Sequence, residues 1–126
     1  MCDNKFYICE KCGNLISMIH ASGVNPVCCG QKMTKLEAGV VDASREKHIP
    51  VVKVEDGKVT AIVGSVIHPM STEHNIAWIY LETDKGGQRK CLKPDEEPRA
   101  VFALADEKPI AVYAYCNLHG LWKTEI

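Results

Sequence analysis

The sequence has no apolar run near the roughly 20 residues that a membrane-spanning helix needs. It also has no basic cluster that could follow a phosphate backbone, because 15 basic and 16 acidic residues are interspersed and the net charge is −1. The first residues, MCDNKFYICEK, do not form a basic segment followed by an apolar one. These absences argue against a membrane protein, a nucleic-acid-binding protein and a secreted protein, and they predict a cytoplasmic location.

Amphipathic helical periodicity is absent as well, and from Val40 onward apolar and polar residues alternate between turns. Asp56-Gly57, between strands predicted at 51–55 and 58–67, suits a two-residue hairpin turn. A second hairpin is predicted from NIAWIYLET and QRKCL, which flank DKGG. The pattern predicts an all-β protein whose main part is a β-sandwich of about seven strands.

The first 36 residues read as short strands around turns, with too few bulky apolar residues for a stable core of their own. Four of the seven cysteines lie here, in CEKCG and VCCGQKM. In a reducing compartment closely spaced thiols are more often metal ligands than disulfides, and four sulfurs suit zinc or a single iron. The sequence therefore predicts a tetrathiolate metal site in this segment, with a zinc staple and disulfides as the alternatives.

Four of the five histidines fall at strand ends or in loops of the β region. A single histidine carries little information, but Cys116-Asn-Leu-His119-Gly places a thiolate and an imidazole where they can share one ion from one loop. Cys2, near the N-terminus, and His20 have no predicted role.

Taken together, the motifs CEKCG, VCCGQKM, EKHIPVV, VGSVIHPM, EHNIAWI and YCNLHGLW resemble desulfoferrodoxin, the two-iron class of superoxide reductase, over essentially the full length. The resemblance implies a desulforedoxin-like domain at residues 1–36 and an immunoglobulin-like superoxide reductase domain at 37–126. It also implies two iron ions per chain, one bound as Fe(Cys)4 and the other as Fe(His)4Cys.

The resemblance assigns a ligand set to each iron. The first iron is expected to be bound by Cys9, Cys12, Cys28 and Cys29. The second is expected to be bound by four equatorial histidines and an axial cysteine, which are His48, His68, His74, His119 and Cys116. Cys91 matches no ligand position and is expected to pack in or near the sandwich.

The implied activity is the one-electron reduction of superoxide to hydrogen peroxide without release of dioxygen. Lys47 is expected to attract superoxide to the second iron, and Glu46 to occupy its sixth position in the oxidised state; the structural alternative is a solvated charge pair. A rubredoxin-like electron donor and a homodimer are also implied. Two other functions remain open, an electron-transfer protein working through Fe(Cys)4 and a zinc-ribbon binding module.

Overall fold

The structure is a computed structural model and describes residues 5–126. It divides into two compact units, with the boundary between Glu37 and Ala38. Almost all of the regular structure is β, so the all-β prediction is confirmed. Among the described residues, no helix is long and apolar enough to cross a membrane.

The N-terminal unit contains five short strands. They are β1 (Lys5–Ile8), β2 (Leu15–Met18), β3 (Val27–Cys28), β4 (Gln31–Lys32) and β5 (Thr34–Lys35). β1 lies between β2 and β5 in an antiparallel sheet, and β3 pairs with β4 alone. The buried residues of this unit are Phe6, Cys9 and Met33. Such a small core cannot stabilise a unit of this size, so a bound metal would have to do so.

The C-terminal unit is a sandwich of seven strands preceded by a single helical turn, α1 (Arg45–His48). The strands are β6 (Pro50–Glu55), β7 (Lys58–Val63), β8 (Ile76–Thr83), β9 (Gly86–Cys91), β10 (Arg99–Ala103), β11 (Pro109–Cys116) and β12 (Gly120–Glu125). One sheet has the order β10-β7-β6 and the other β12-β11-β8-β9, with antiparallel neighbours throughout. The predicted sandwich is therefore confirmed.

The core lies between the two sheets. In β7 every second residue is buried, because alternate side chains of a strand point to opposite faces. Val59, Ala61 and Val63 from this strand pack with Leu81 of β8 and Phe102 of β10 in one buried cluster. Truncation of a fully buried phenylalanine such as Phe102 costs about 3–5 kcal/mol, so this cluster is the scaffold that holds the strand ends in place.

The two predicted hairpins are present, with differences at their ends. Asp56 and Gly57 have φ of 52° and 69°, the two positive values that the predicted turn requires. β7 ends at Val63, not at residue 67, and the second turn is Asp84-Lys85, so that its glycines lie in β9. A glycine is needed at position 87 of this strand, because the Tyr80 ring occupies the space that a Cβ would need.

Candidate metal centres

The structure brings the four cysteines of the N-terminal unit together. Their sulfur atoms all lie within 4.8 Å of one another. The Cys28 sulfur is 3.7 Å from the Cys12 sulfur and 3.9 Å from the Cys29 sulfur. Four thiolates bonded at about 2.3 Å to one tetrahedral ion are about 3.8 Å apart, so the spacing fits a tetrathiolate metal site. All six cysteines among residues 5–126 are free thiols, which argues against the disulfide alternative.

Adjacent cysteines can face one ion because the backbone turns sharply between them. Side chains of successive residues in a strand point to opposite sides. Cys29 has φ of 53° and Gly30 φ of 73°, two consecutive left-handed residues that end β3 and redirect the second thiol. The left-handed conformation costs a non-glycine residue about 1–2 kcal/mol, a strain that metal binding can offset.

The pKa values of Cys9 and Cys29 also point to a cation. The Cys12 backbone amide donates to the Cys9 sulfur and lowers the pKa of Cys9 to about 6. The neighbouring thiols, Cys12 first, raise the pKa of Cys29 to about 12. Without a cation, like-charge repulsion prevents all four groups from ionising together. A divalent or trivalent metal removes that repulsion.

The second group lies at one end of the sandwich, where several strands start or finish. Pro50, which begins β6, pairs with Val63, which ends β7, and Cys116 at the end of β11 pairs with both Ile76 and Gly120. The five predicted ligands lie at or beside these pairs: His48 ends α1, Cys116 ends β11, and the other three, His68, His74 and His119, lie in the adjoining loops. Distant parts of the sequence therefore meet at a single edge.

The four imidazoles surround one point as a ring. In the order His48, His68, His74 and His119, neighbouring ring centroids are 4.6–5.2 Å apart and the planes are 74–90° to each other. His48 and His74 lie on opposite sides of this group of four, with their imidazole centroids 6.3 Å apart and their planes inclined by 33°. Four side chains in this arrangement could share one metal ion.

Two backbone carbonyls determine which nitrogens of His48 and His68 face the centre. Nδ1 of His48 is 2.6 Å from the Ser44 oxygen, and Nδ1 of His68 is 2.7 Å from the Pro69 oxygen. A carbonyl only accepts, so both Nδ1 atoms carry the hydrogen and both Nε2 atoms keep a lone pair. Such second-layer hydrogen bonds are typical of histidines that bind metals.

The resulting lone pairs face each other. The two Nε2 atoms are 3.2 Å apart, and the His48 Nε2 is 3.1 Å from the His119 Nδ1. A proton does not resolve the conflict at neutral pH, because burial lowers the pKa of His48 and lowers that of His68 to about 4. Nitrogens at right angles around a metal, with bonds of about 2.1 Å, are about 3.0 Å apart. A metal ion fits the observed spacing.

His74 and the Cys116–His119 turn complete the group. Nε2 of His74 is buried and has no hydrogen-bond partner among the described residues, at a cost of about 1–3 kcal/mol unless a metal binds it. The ligand atoms of His48, His68, His74 and Cys116 lie within 4.8 Å of one another. Nδ1 of His119 is 3.8 Å from the Cys116 sulfur, so the predicted loop pair does converge.

Two residues that are not expected ligands, Trp122 and Asn117, also contribute to this site. The Trp122 ring lies 5.0 Å from the His48 ring, and its indole N–H donates to the His119 oxygen. The Asn117 side chain accepts from the Asn75 amide and donates to the Glu73 oxygen, each at 2.9 Å, and so ties the loop of His74 to the turn of Cys116. The bond from Trp122 to His119 is local, but the other three contacts join residues distant in the chain, and the sequence has no local signal for them.

Glu46 and Lys47 lie in α1 immediately before His48 and are exposed. Burial is the main cause that lowers the pKa of His74, and the Lys47 charge adds to it. The pKa of Glu46 is below its usual range, chiefly because its own backbone amide hydrogen-bonds to the carboxylate. An exposed cation and an exposed anion therefore directly precede the buried His48 in α1. Their catalytic roles stay a prediction.

Cys91 and His20 are outside both groups. Cys91 ends β9, the edge strand of its sheet, so it lies in the sandwich as expected, but its side chain is exposed and does not pack in the core. Its alternation with neighbouring strand residues turns the side chain to solvent. His20 is exposed as well, and Cys2 lies outside the described residues.

Comparison with known proteins agrees with this geometry. The family model of desulfoferrodoxin matches residues 40–125, and that of the desulfoferrodoxin N-terminal domain matches residues 3–36. The chain belongs to the desulfoferrodoxin family. The two groups able to hold metal are the two iron sites expected of a desulfoferrodoxin chain, which confirms the cofactor prediction.

Individual desulfoferrodoxin relatives match over nearly the whole length. The chain is 44% identical to a desulfoferrodoxin homolog of Archaeoglobus fulgidus over 118 residues, 94% of each chain. It is 42% identical to the desulfoferrodoxin of Nitratidesulfovibrio vulgaris over 121 residues, 96% of this chain and 95% of that one. The crystal structure of the superoxide reductase from Treponema pallidum has a TM-score of 0.80 and 40% identity, and covers 95% of this chain and 98% of that chain.

Proposed function

We propose that this chain is a superoxide reductase. It combines superoxide with one electron and two protons to form hydrogen peroxide, and it releases no dioxygen. The observation that carries the proposal is the ring of four imidazoles at the end of the sandwich, with the Cys116 sulfur within 4.8 Å of the ligand atoms of His48, His68 and His74 and 3.8 Å from Nδ1 of His119. The relative of known structure from Treponema pallidum is itself named a superoxide reductase.

The donor set fits iron that changes its charge by one unit. Four neutral imidazoles and one thiolate leave ferrous iron with a net charge of about +1, which favours the approach of a small anion. Iron held by these five residues would supply the electron by passing from the ferrous to the ferric state. The carbonyls of Ser44 and Pro69 keep the hydrogen of His48 and His68 on Nδ1 and so leave Nε2 free to bind the metal, while burial lowers the pKa of both rings and keeps them neutral.

Lys47 would attract superoxide to this site, and Glu46 would provide a carboxylate beside it. The support is their position in α1, next to a buried histidine but with both side chains exposed. Because steering by charge is screened by salt, Lys47→Ala should slow superoxide capture up to about tenfold at low ionic strength and less at high ionic strength. Lys47→Arg is the matched control and should keep most of the rate.

Pulse radiolysis, which follows superoxide directly, measures this second-order rate. Iron content should be the same in the unmodified protein, Lys47→Ala and Lys47→Arg, since neither substitution changes a proposed ligand. An unchanged rate for Lys47→Ala at low salt contradicts the assigned role.

We expect Glu46→Gln to change the visible spectrum of the oxidised protein, in which a carboxylate close to iron would be lost.

Product stoichiometry is the decisive test of the reaction. A reductase supplied with an electron donor forms one hydrogen peroxide per superoxide and no dioxygen, whereas disproportionation forms half as much peroxide together with dioxygen.

Cys116→Ser should abolish the reaction. Cys29→Ser changes only the first site, so superoxide consumption should persist in this variant. Loss of consumption would instead favour the alternative, an electron-transfer protein whose working centre is the first site.

We also propose the organisation around this reaction. Residues 1–36 would form the Fe(Cys)4 domain and residues 37–126 the reductase domain. A rubredoxin-like carrier would supply the electron, the chain would form a homodimer, and the protein would act in the cytoplasm against superoxide. Stopped-flow oxidation of reduced rubredoxin and sedimentation equilibrium test the carrier and the dimer.

A further inference from the structure

Asn14 connects the two halves of the tetrathiolate group. Its backbone oxygen accepts a hydrogen bond of 2.8 Å from the Cys9 amide, and its side-chain Nδ2 lies 3.7 Å from the Cys28 sulfur. The first bond belongs to the CEKCG turn and the second reaches the VCCG turn. Neither Cys9-Glu-Lys-Cys12 nor Cys28-Cys29 contains this residue, and it is not one of the expected ligands.

The side chain faces the sulfur with its donor. A thiolate only accepts hydrogen bonds, so the amide nitrogen and not the amide oxygen must point toward Cys28. The turn keeps it there, because Gly13, with φ of 82°, and the backbone bond to Cys9 position the Asn14 backbone. Only the two side-chain torsions remain free, so the donor is largely preorganised.

A hydrogen bond to this sulfur acts differently on the two oxidation states of iron. A ferric ion with four thiolates has a net charge of about −1, and a ferrous ion with the same ligands about −2. An N–H dipole directed at the sulfur stabilises the more negative, reduced state more strongly. It therefore favours uptake of an electron from a reductant and raises the reduction potential.

We propose that Asn14 sets the reduction potential of the Fe(Cys)4 site by donating its side-chain N–H to the Cys28 thiolate. The proposal rests on iron occupying the first site, but it is independent of superoxide reduction at the second. Asn14 is a positioning residue in this sense, because it acts through a ligand and not on the substrate. It makes the first site easier to reduce than the same four cysteines without this donor.

The expected size of the effect is modest. Asn14 is exposed and Cys28 is partly exposed, so water weakens the interaction. We expect Asn14→Ala to reduce the equilibrium constant for reduction by about two- to tenfold, and a tenfold change corresponds to a potential about 59 mV lower. Asn14→Leu has nearly the size of asparagine, lacks the donor and keeps water away from the sulfur, so its decrease should be at least as large.

The test uses the full-length, iron-loaded protein. Electrochemical titration, followed through the thiolate-to-iron absorption of the first site, measures the potential, and elemental analysis measures iron in each variant. Asn14→Gln keeps an amide donor and should recover much of the native potential. Gln31→Ala removes another side-chain amide of the same unit, opposite Cys28 in the β3–β4 pair, and should leave the potential unchanged.

The outcomes are distinct. A lower potential in both donor-free variants, with recovery in Asn14→Gln, supports the proposal. A native potential in a fully loaded Asn14→Ala protein overturns it, as does an equal decrease in Gln31→Ala. If Asn14→Ala fails to bind iron, Asn14→Leu decides alone, and a native potential there overturns the proposal. Superoxide consumption is not used, so failure of the proposed reaction would leave this result intact.

Discussion

Gly64 should be a position where one added methyl group disrupts the second metal site. A Cβ built on Gly64 would lie 2.6 Å from the Glu46 oxygen and 2.9 Å from the Ile49 oxygen, both backbone atoms of the segment that contains α1. Ordinary contact begins near 3.4 Å, so the Glu46 oxygen would have to move by about 0.8 Å. That segment carries His48, so Gly64→Ala must displace a proposed ligand or its neighbours.

The displacement exceeds what a metal site tolerates. Ligand distances need to be within about 0.2 Å of their ideal values. Overpacking costs about 1–3 kcal/mol, which the sandwich core can withstand, so the fold should persist while the site loosens. We expect iron to fall from about two ions per chain toward about one, because the first site lies in the other unit.

Elemental analysis and chelator competition measure this loss, and the retained absorption of the first site serves as an internal reference. Ser65→Ala is the matched control. It adds no atoms and removes only the 3.3 Å hydrogen bond from the Ser65 hydroxyl to the same Glu46 oxygen. Full occupancy of both sites in Gly64→Ala, with native rates of iron release, would refute the reasoning.

Three further predictions concern other parts of the molecule. Asn117→Ala removes two hydrogen bonds that hold the His74 loop, and it should weaken iron binding at the second site about 10- to 100-fold in chelator competition; unchanged affinity would argue against this clamp. Removal of metal should abolish amide protection in residues 5–36, whose buried core is minimal, while protection in the sandwich strands persists, as hydrogen exchange can show. Burial, followed by the Glu82 carboxylate, raises the pKa of Tyr113 above 10.0, so its contribution to folding is present below pH 10.0 and lost as pH rises above that value. Tyr113→Phe should flatten the alkaline decline in the free energy of unfolding, and an identical decline in both proteins would contradict the assignment.

The fold was largely predictable because its signals are local. Alternation of apolar and polar residues marks strands without reference to the rest of the chain, and Asp56-Gly57 adopts the two positive φ values that its residue types favour. The extension of β7 to residue 67 was wrong because apolar residues continue past the point where pairing ends. Val66 and Ile67 are exposed in the loop that carries His68, a feature that periodicity does not distinguish from a strand.

The sequence by itself determined which donor atoms are available and how they are grouped locally: two cysteine pairs in a segment with almost no core, and histidines beside strand ends. Spacing within a turn follows from a few backbone torsions, so such groups can be recognised directly.

Only the tertiary structure decided how the groups are completed. The carbonyls of Ser44 and Pro69 select the ring nitrogens, Asn14 reaches across to Cys28, and Gly64 allows α1 to approach the end of β7. The Asn14 and Gly64 contacts join residues distant in the chain. The carbonyl contacts of Ser44 and Pro69 are local, but they depend on how the backbone directs a carbonyl group, which every residue type has. The Gly64 contact exists because antiparallel pairing of β6 with β7 brings Pro50 and Val63 together, and residue type alone does not encode that geometry.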